Sequence, residues 1–213
     1  MKKALTLVAL NLATITIIGE EQKRQVDDAH LKVTITYELC SGHHPPIEMD
    51  ENGEEIPYEF PTAADIAKMF NVSSNRMARV LEEMVRENLI AFEANPDVYT
   101  ALKVFPLITE LQTFHSTNSI ALLQKSVMVN HDIISENAIE TYAIIAGTKS
   151  IPFFRETIKK ERLDSALHNR ITQHLQKAVV KLEEKKQTAD AEKITAFLKE
   201  MKQAEQPKEK GEN

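Results

Sequence analysis

Cysteine is almost absent from this chain of 213 residues, tryptophan is missing, and there are only 5 glycines. A single thiol, Cys40, excludes an internal disulfide framework and fits a reducing compartment, so the expected location is the cytoplasm. The glycines form no glycine-rich phosphate loop. Nucleophile elbows and His-Glu-x-x-His helices are also lacking, so no catalytic residues, metal or cofactor are expected and the chain is not read as an enzyme. Nor is there a strong excess of one charge. The net charge of −6 argues against a general nucleic-acid coat. Hydrophobic content of 42% with 27% charged residues describes a globular protein. The charge is uneven: residues 1–154 carry 12 basic against 21 acidic side chains, and residues 155–213 carry 14 against 11. The basic part is therefore the C-terminal part, read here as a solvated helical surface.

A long hydrophobic run is lacking as well. Lys2 and Lys3 precede an apolar stretch over residues 4–18 that resembles the charged and apolar parts of a secretory signal. However, Asn11, Thr14 and Thr16 interrupt it, and no small-x-small site precedes Glu20. It is also shorter than the ~20 residues that span a bilayer. The expectation is a buried helix or strand, packed on a partner subunit or on the C-terminal helices, with no membrane association. Its periodicity does not separate helix from strand.

The most specific pattern lies in residues 61–103. Thr62 with Asp65 three residues on reads as a variant capping box, and Ile66, Ala67 and Phe70 recur at helical spacing. Asn71 suits the left-handed residue that ends a helix, Val72 plugs the turn, and Ser73 or Ser74 caps the next helix. That helix is predicted to run to about Asn88 on a stripe of Met77, Val80, Leu81, Met84 and Val85. Residues 89–93 and 98–104 read as two short strands around a turn at Asn95, Pro96 and Asp97.

With Ala67, the turn Asn71-Val72-Ser73, Met77, Val80 and the ending Glu87-Asn88-Leu89-Ile90, the segment resembles the winged helix-turn-helix superfamily of bacterial-type DNA-binding regulators. The resemblance covers about a fifth of the chain and implies double-stranded DNA binding, with the second helix in the major groove. Carried over by position, the groove-facing residues are Ser74, Asn75, Arg76 and Arg79, and Thr62 and Ser73 would meet backbone phosphates. Two features depart from the pattern. The wing tip offers Glu93, Asn95 and Asp97 rather than basic residues, and the segment holds five basic against six acidic side chains. A protein-interaction adaptor that docks a protein on the same helix is the alternative.

Upstream, residues 26–39 read as the first helix of that domain, with apolar groups at Val26, Ala29, Val33, Tyr37 and Leu39. Residues 41–60 are then an insertion with an acidic hairpin turning at Asn52-Gly53. Cys40, His43, His44, Glu48 and Asp50 are the one cluster of metal-ligand types, but the spacing is not that of a zinc finger, and a polar loop is the better reading. Beyond Val104 the chain turns helical. A helix is expected from Ser135, as its cap, to Gly147. A long helix follows over residues 153–186, with a coiled-coil-like seam of Leu163, Leu167, Ile171, Leu175, Val179 and Leu182. A second stripe of Ala191, Ile194, Phe197, Leu198 and Met201 completes a helical hairpin. His168 and His174 are six residues apart and do not share a face.

The fold class expected is mainly α: a winged helix-turn-helix domain with a small β-wing, then a helical C-terminal region. Residues 1–104 would form the first domain, 105–203 an oligomerisation region, and 204–213 a disordered tail. The expected function is sequence-specific DNA binding as a homodimeric transcriptional regulator, paired through the C-terminal helices.

Overall fold

The computed structural model describes residues 26–40, 48–49, 55–56, 61–160 and 165–205. The expectations for residues 1–25, for the turn at Asn52-Gly53 and for residues 206–213 lie outside them. The fold is mainly α, as composition and periodicity indicate.

Helix α1 (Asp28–Ile35) is capped by Asp27, whose carboxylate accepts from the His30 amide, and ends in one π-helical turn (Thr36–Cys40). Its buried residues are Leu31 and Ile35. Of the stripe assigned from sequence, Val26 and Leu39 are partly buried against the core, whereas Ala29, Val33 and Tyr37 are exposed. Two stripes at i, i+4 spacing compete on this helix, and the pair with two long aliphatic side chains faces the core. Strands β1 (Glu48–Met49) and β2 (Glu55–Ile56) pair antiparallel, Glu48 opposite Ile56.

Helix α2 (Ala63–Met69) and helix α3 (Ser74–Ala94) follow, and then helix α4 (Val98–Phe114). These bounds correct the sequence reading: there is no β-wing. Residues 89–94 complete α3, and residues 98–104 open α4. The physical reason is that Leu89 and Phe92 lie four and seven residues beyond Val85, so the buried stripe continues at helical period. Asn95-Pro96-Asp97 is a helix-to-helix connector rather than a hairpin turn. Asp97 caps α4, accepting from the Thr100 amide at 2.9 Å and the Thr100 hydroxyl at 2.6 Å. These donors hold its carboxyl below the usual carboxylate range. Asp97→Ala is expected to lower the urea midpoint by leaving the first amides of α4 without their side-chain acceptor.

Helix α4 runs unbroken across Val104, where the sequence suggested a domain boundary, and packs along α3. A 3-10 turn (Thr117–Ser119) leads into α5 (Ile120–Val127), then α6 (Asp132–Ala146). Helix α6 starts three residues before the expected Ser135 cap. Ser135 is instead buried, and its hydroxyl donates to the Val127 carbonyl at 2.9 Å. Because α4, α5 and a later helix all pack on α6, it is apolar on most of its circumference, with Ile134, Ala138, Ile139, Tyr142, Ala143 and Ile144 buried.

Gly147 ends α6 at φ 53°, and a Cβ there would stand 2.6 Å from the Asp190 carboxylate. That carboxylate accepts from the Thr148 amide. The expected long helix over 153–186 is described as α7 (Ile151–Lys160) and α8 (Ser165–Glu184), with 161–164 outside the described residues. Lys186, at φ 59°, reverses the chain into α9 (Thr188–Glu205), which packs against α8 as the expected hairpin. Leu167, Ile171, Leu175, Ala178 and Leu182 are buried, α8 packing on both α6 and α9. The seam of the C-terminal helices is thus closed within the chain.

Candidate nucleic-acid interface

The presenting unit is α2, its turn and α3. At the start of α2, Thr62 and Asp65 cap each other: the Asp65 amide donates to Thr62 Oγ1 at 3.2 Å, and the Thr62 amide and hydroxyl donate to Asp65 Oδ2 at 3.0 and 2.6 Å. The Thr62 hydroxyl holds the Asp65 carboxyl below its usual range. The next amide, Ala63, donates to Glu110 Oε2 at 3.0 Å and so pins α2 to α4.

At the other end the chain forms a Schellman turn. The Val72 amide reaches the Ala67 carbonyl at 2.8 Å, the Asn71 amide reaches Lys68, and Asn71 adopts φ 52°. Ala67 is small enough to be covered by the turn and is 7% exposed. Ser73 then caps α3, accepting from the Arg76 amide at 3.4 Å. Each of these choices was legible from the residues alone.

This geometry leaves one ridge of α3 in solvent: Asn75, Arg79, Glu83, Arg86 and Ile90, spaced close to whole helical turns. Ser74 is also exposed. Arg76 is not on the ridge. Its guanidinium turns toward α1, where Nε and Nη2 reach Asp28 Oδ1 at 2.8 and 2.7 Å, and Nη2 also meets the Val26 carbonyl. Arg79 shares the same carboxylate, Nη2 to Asp28 Oδ2 at 2.7 Å, yet its side chain remains 65% exposed. The hydrogen bond from Arg76, with the charge of both arginines, holds the Asp28 carboxyl below its ordinary range.

One carboxylate therefore organises both candidate arginines. Sequence reasoning missed Asp28, which is 48 residues from Arg76 and reads locally as an acidic helix start. Thr62 and Ser73 sit at helix starts with their hydroxyls engaged in caps.

Two features flank the ridge. On one side Lys32 of α1 bridges Glu83 at 3.1 Å and Glu87 at 2.8 Å. On the other lies a cleft of about 360 Å³ between Asn75, Arg79 and Glu82 of α3 and the segment Phe114 to Asn118. Glu82 ties this segment down, accepting from the Ser116 and Ser119 hydroxyls at 2.7 and 2.6 Å. His115, in the left-handed region at φ 45°, lines the cleft. Burial, with Lys185 nearby, pushes its imidazole below the ordinary value, so it is neutral at pH 7.

Of the metal-ligand types noted in sequence, His43, His44 and Asp50 lie outside the described residues. Burial pushes the Cys40 thiol up to about 11, so it stays protonated, and Sγ donates to the Lys103 carbonyl at 3.6 Å. Among the described residues no group of acidic, His or Cys side chains has a geometry that would hold a metal ion, and no helix is long and apolar enough to cross a membrane.

A second polar cluster joins α6 to α8. His174 is buried with Nε2 3.4 Å from Glu136 and Nδ1 3.6 Å from Glu140, and Glu140 also pairs with Lys181. At the N-terminal end of α6, Asp132 pairs with Arg170 at 3.1 Å. The cluster faces an interior helix contact rather than a cleft, and its role is to fix the hairpin on the central helix.

No protein-family model, curated protein or solved structure matches this chain.

Proposed function

We propose that the chain is a sequence-specific, double-stranded DNA-binding protein that works as a homodimeric transcriptional regulator, reading DNA with the N-terminal half of α3. The observation that supports this most is the capped helix, Schellman turn and second helix, which together leave Ser74, Asn75 and Arg79 exposed at the start of α3. Asn and Arg in that position can pair with adenine and guanine edges. The reading set is narrower than the one drawn from sequence: Arg76 serves as a buttress that orients α1 against α3, and Arg79 is the base reader.

The test is selection from a random duplex pool at low salt. Enrichment of a common motif is the expected result; a pool that stays random would contradict the reading. Asp28→Asn should keep the hydrogen bonds to Arg76 while removing a negative charge beside Arg79. It is expected to tighten DNA binding about fivefold at low salt, from roughly 1 kcal/mol for a unit charge at contact distance in water. Unchanged or weaker affinity in fluorescence anisotropy would count against Arg79 as the reader.

The adaptor reading has one observation in its favour, the mixed charge of the exposed side of α3, where Glu83 and the neighbouring Glu87 stand with Arg79 and Arg86. A protein surface of alternating sign would fit it.

A further inference from the structure

A helix that reads DNA needs phosphate contacts around it, since these supply a large share of the affinity. Residues 61–103 carry five basic against six acidic side chains, so α2 and α3 supply few of them. The basic excess lies in residues 155–213, with 14 against 11. Helix packing brings part of it to the reading end of α3.

Four helix ends gather there. Glu82 holds Ser116 and Ser119, which sets the first half of α3 against the end of α4. Thr109 donates to Asn137 Oδ1 at 3.2 Å and Gln112 to Thr141 Oγ1 at 2.8 Å. Helix α4 therefore runs parallel to α6 and finishes level with its end. Arg170 pairs with Asp132, His174 with Glu136 and Lys181 with Glu140, so α8 runs parallel to α6 as well. Its last turn reaches the same level, and the Asp190 bond to the Thr148 amide fixes the α8–α9 reversal beside the end of α6.

Lys185 and Lys186 occupy that reversal. Both are exposed, and neither has an ion-pair partner among the described residues. Lys185 is near enough to His115 to add to the effect of burial on that imidazole, and His115 lines the cleft beside Arg79. Burial, then the like charge of Lys181, lowers the Lys185 ammonium below its ordinary range, a strain that an anion alongside would relieve. The carboxylates of this end are engaged or lie elsewhere on the helix. Glu82 is held by two hydroxyls and Asp190 by a backbone amide. Glu184 and Glu183 lie about 100° and 160° round the α8 axis from Lys185.

We propose that Lys185 and Lys186 bind the phosphate backbone of the duplex that α3 reads, on the strand across the cleft from Arg79. The partner rests on the DNA-binding reading; the placement of the lysines rests on the packing of α4 and α8 on α6. A major groove is about 12 Å wide, so a helix lying in it has a phosphate strand on either side. The cleft of about 360 Å³ separates Arg79 from His115, and the lysines stand beyond it. The C-terminal hairpin thereby supplies the charge that the reading helix lacks.

The experiment is fluorescence anisotropy of the full chain across a salt series, on the selected duplex and on one of unrelated sequence. Lys185→Gln/Lys186→Gln is expected to weaken both by the same factor. The slope of log affinity against log salt should fall by about one for each lysine at the backbone. Lys185→Arg/Lys186→Arg, which keeps both charges, should hold the wild-type slope. A slope unchanged in the glutamine variant, or lost equally in the arginine variant, would overturn the contact. A selected motif with an unchanged slope overturns the contact alone. Binding of both duplexes without a selected motif, but with the slope reduced, overturns sequence-specific reading and leaves the contact standing. No binding of either duplex at low salt overturns both.

Discussion

Replacing Glu140 by alanine is expected to lower stability by about 2 to 3 kcal/mol at pH 7. Glu140 is 9% exposed on the central helix α6 and holds two partners on α8, His174 and Lys181. Removing it leaves a buried imidazole facing only Glu136. The loss falls below the range for a fully buried ion pair, because the Lys181 side chain is 42% exposed and can turn to water.

The pH dependence separates this account from simple loss of packing. Interaction with His174, then Lys181, holds the Glu140 carboxyl below its ordinary value of 4.5. A depressed folded value means that the stabilisation is present above pH 4.5 and lost as pH falls through the folded value. The gap between wild type and variant in urea titrations should therefore be full at pH 7 and shrink in acid. A gap that stays constant down to the folded value would assign the effect to packing alone.

The second large effect concerns binding. Arg79→Ala is expected to weaken affinity for the selected duplex by about 1 to 3 kcal/mol per half-site, or roughly 5- to 150-fold. Stability should change little, since Arg79 is mostly exposed and its pair with Asp28 is a surface contact. Arg76→Ala should show the opposite pattern. Its side chain is 22% exposed and bonds both Asp28 and the Val26 carbonyl, so its loss loosens α1 from α3 and lowers the melting temperature. The two arginines look alike in sequence, three residues apart and both off the buried stripe. Equal effects of the two substitutions on binding, with no difference in stability, would refute the division of roles.

The two helices over residues 63–94 and the turn between them were legible because their determinants are local. Thr62 with Asp65, Asn71 and Ser73 each act on backbone groups within a few residues, so the residue types announce the geometry. The wing was misread because Leu89-Ile90-Ala91-Phe92 is short and apolar, and periodicity alone does not separate strand from helix over four residues. Asp97 decided the matter by capping a helix, with Thr100 supplying both donors.

On α1 the core took Leu31 and Ile35, and of the stripe assigned from sequence only Val26 and Leu39, at its two ends, pack against it. The interface chemistry was less legible still. Asp28 meets Arg76 and Arg79 across 48 and 51 residues. The His174 cluster draws its carboxylates from a different helix, and the one local hint was Glu136 and Glu140, four residues apart on the largely buried α6.

The measurement that bears most directly on function is a titration of isotope-labelled protein with the selected duplex, followed through backbone amide shifts. The account predicts the largest changes at Ser73, Ser74, Asn75 and Arg79, with smaller ones at Thr62. Changes confined to other helices, or none at low salt, would contradict it.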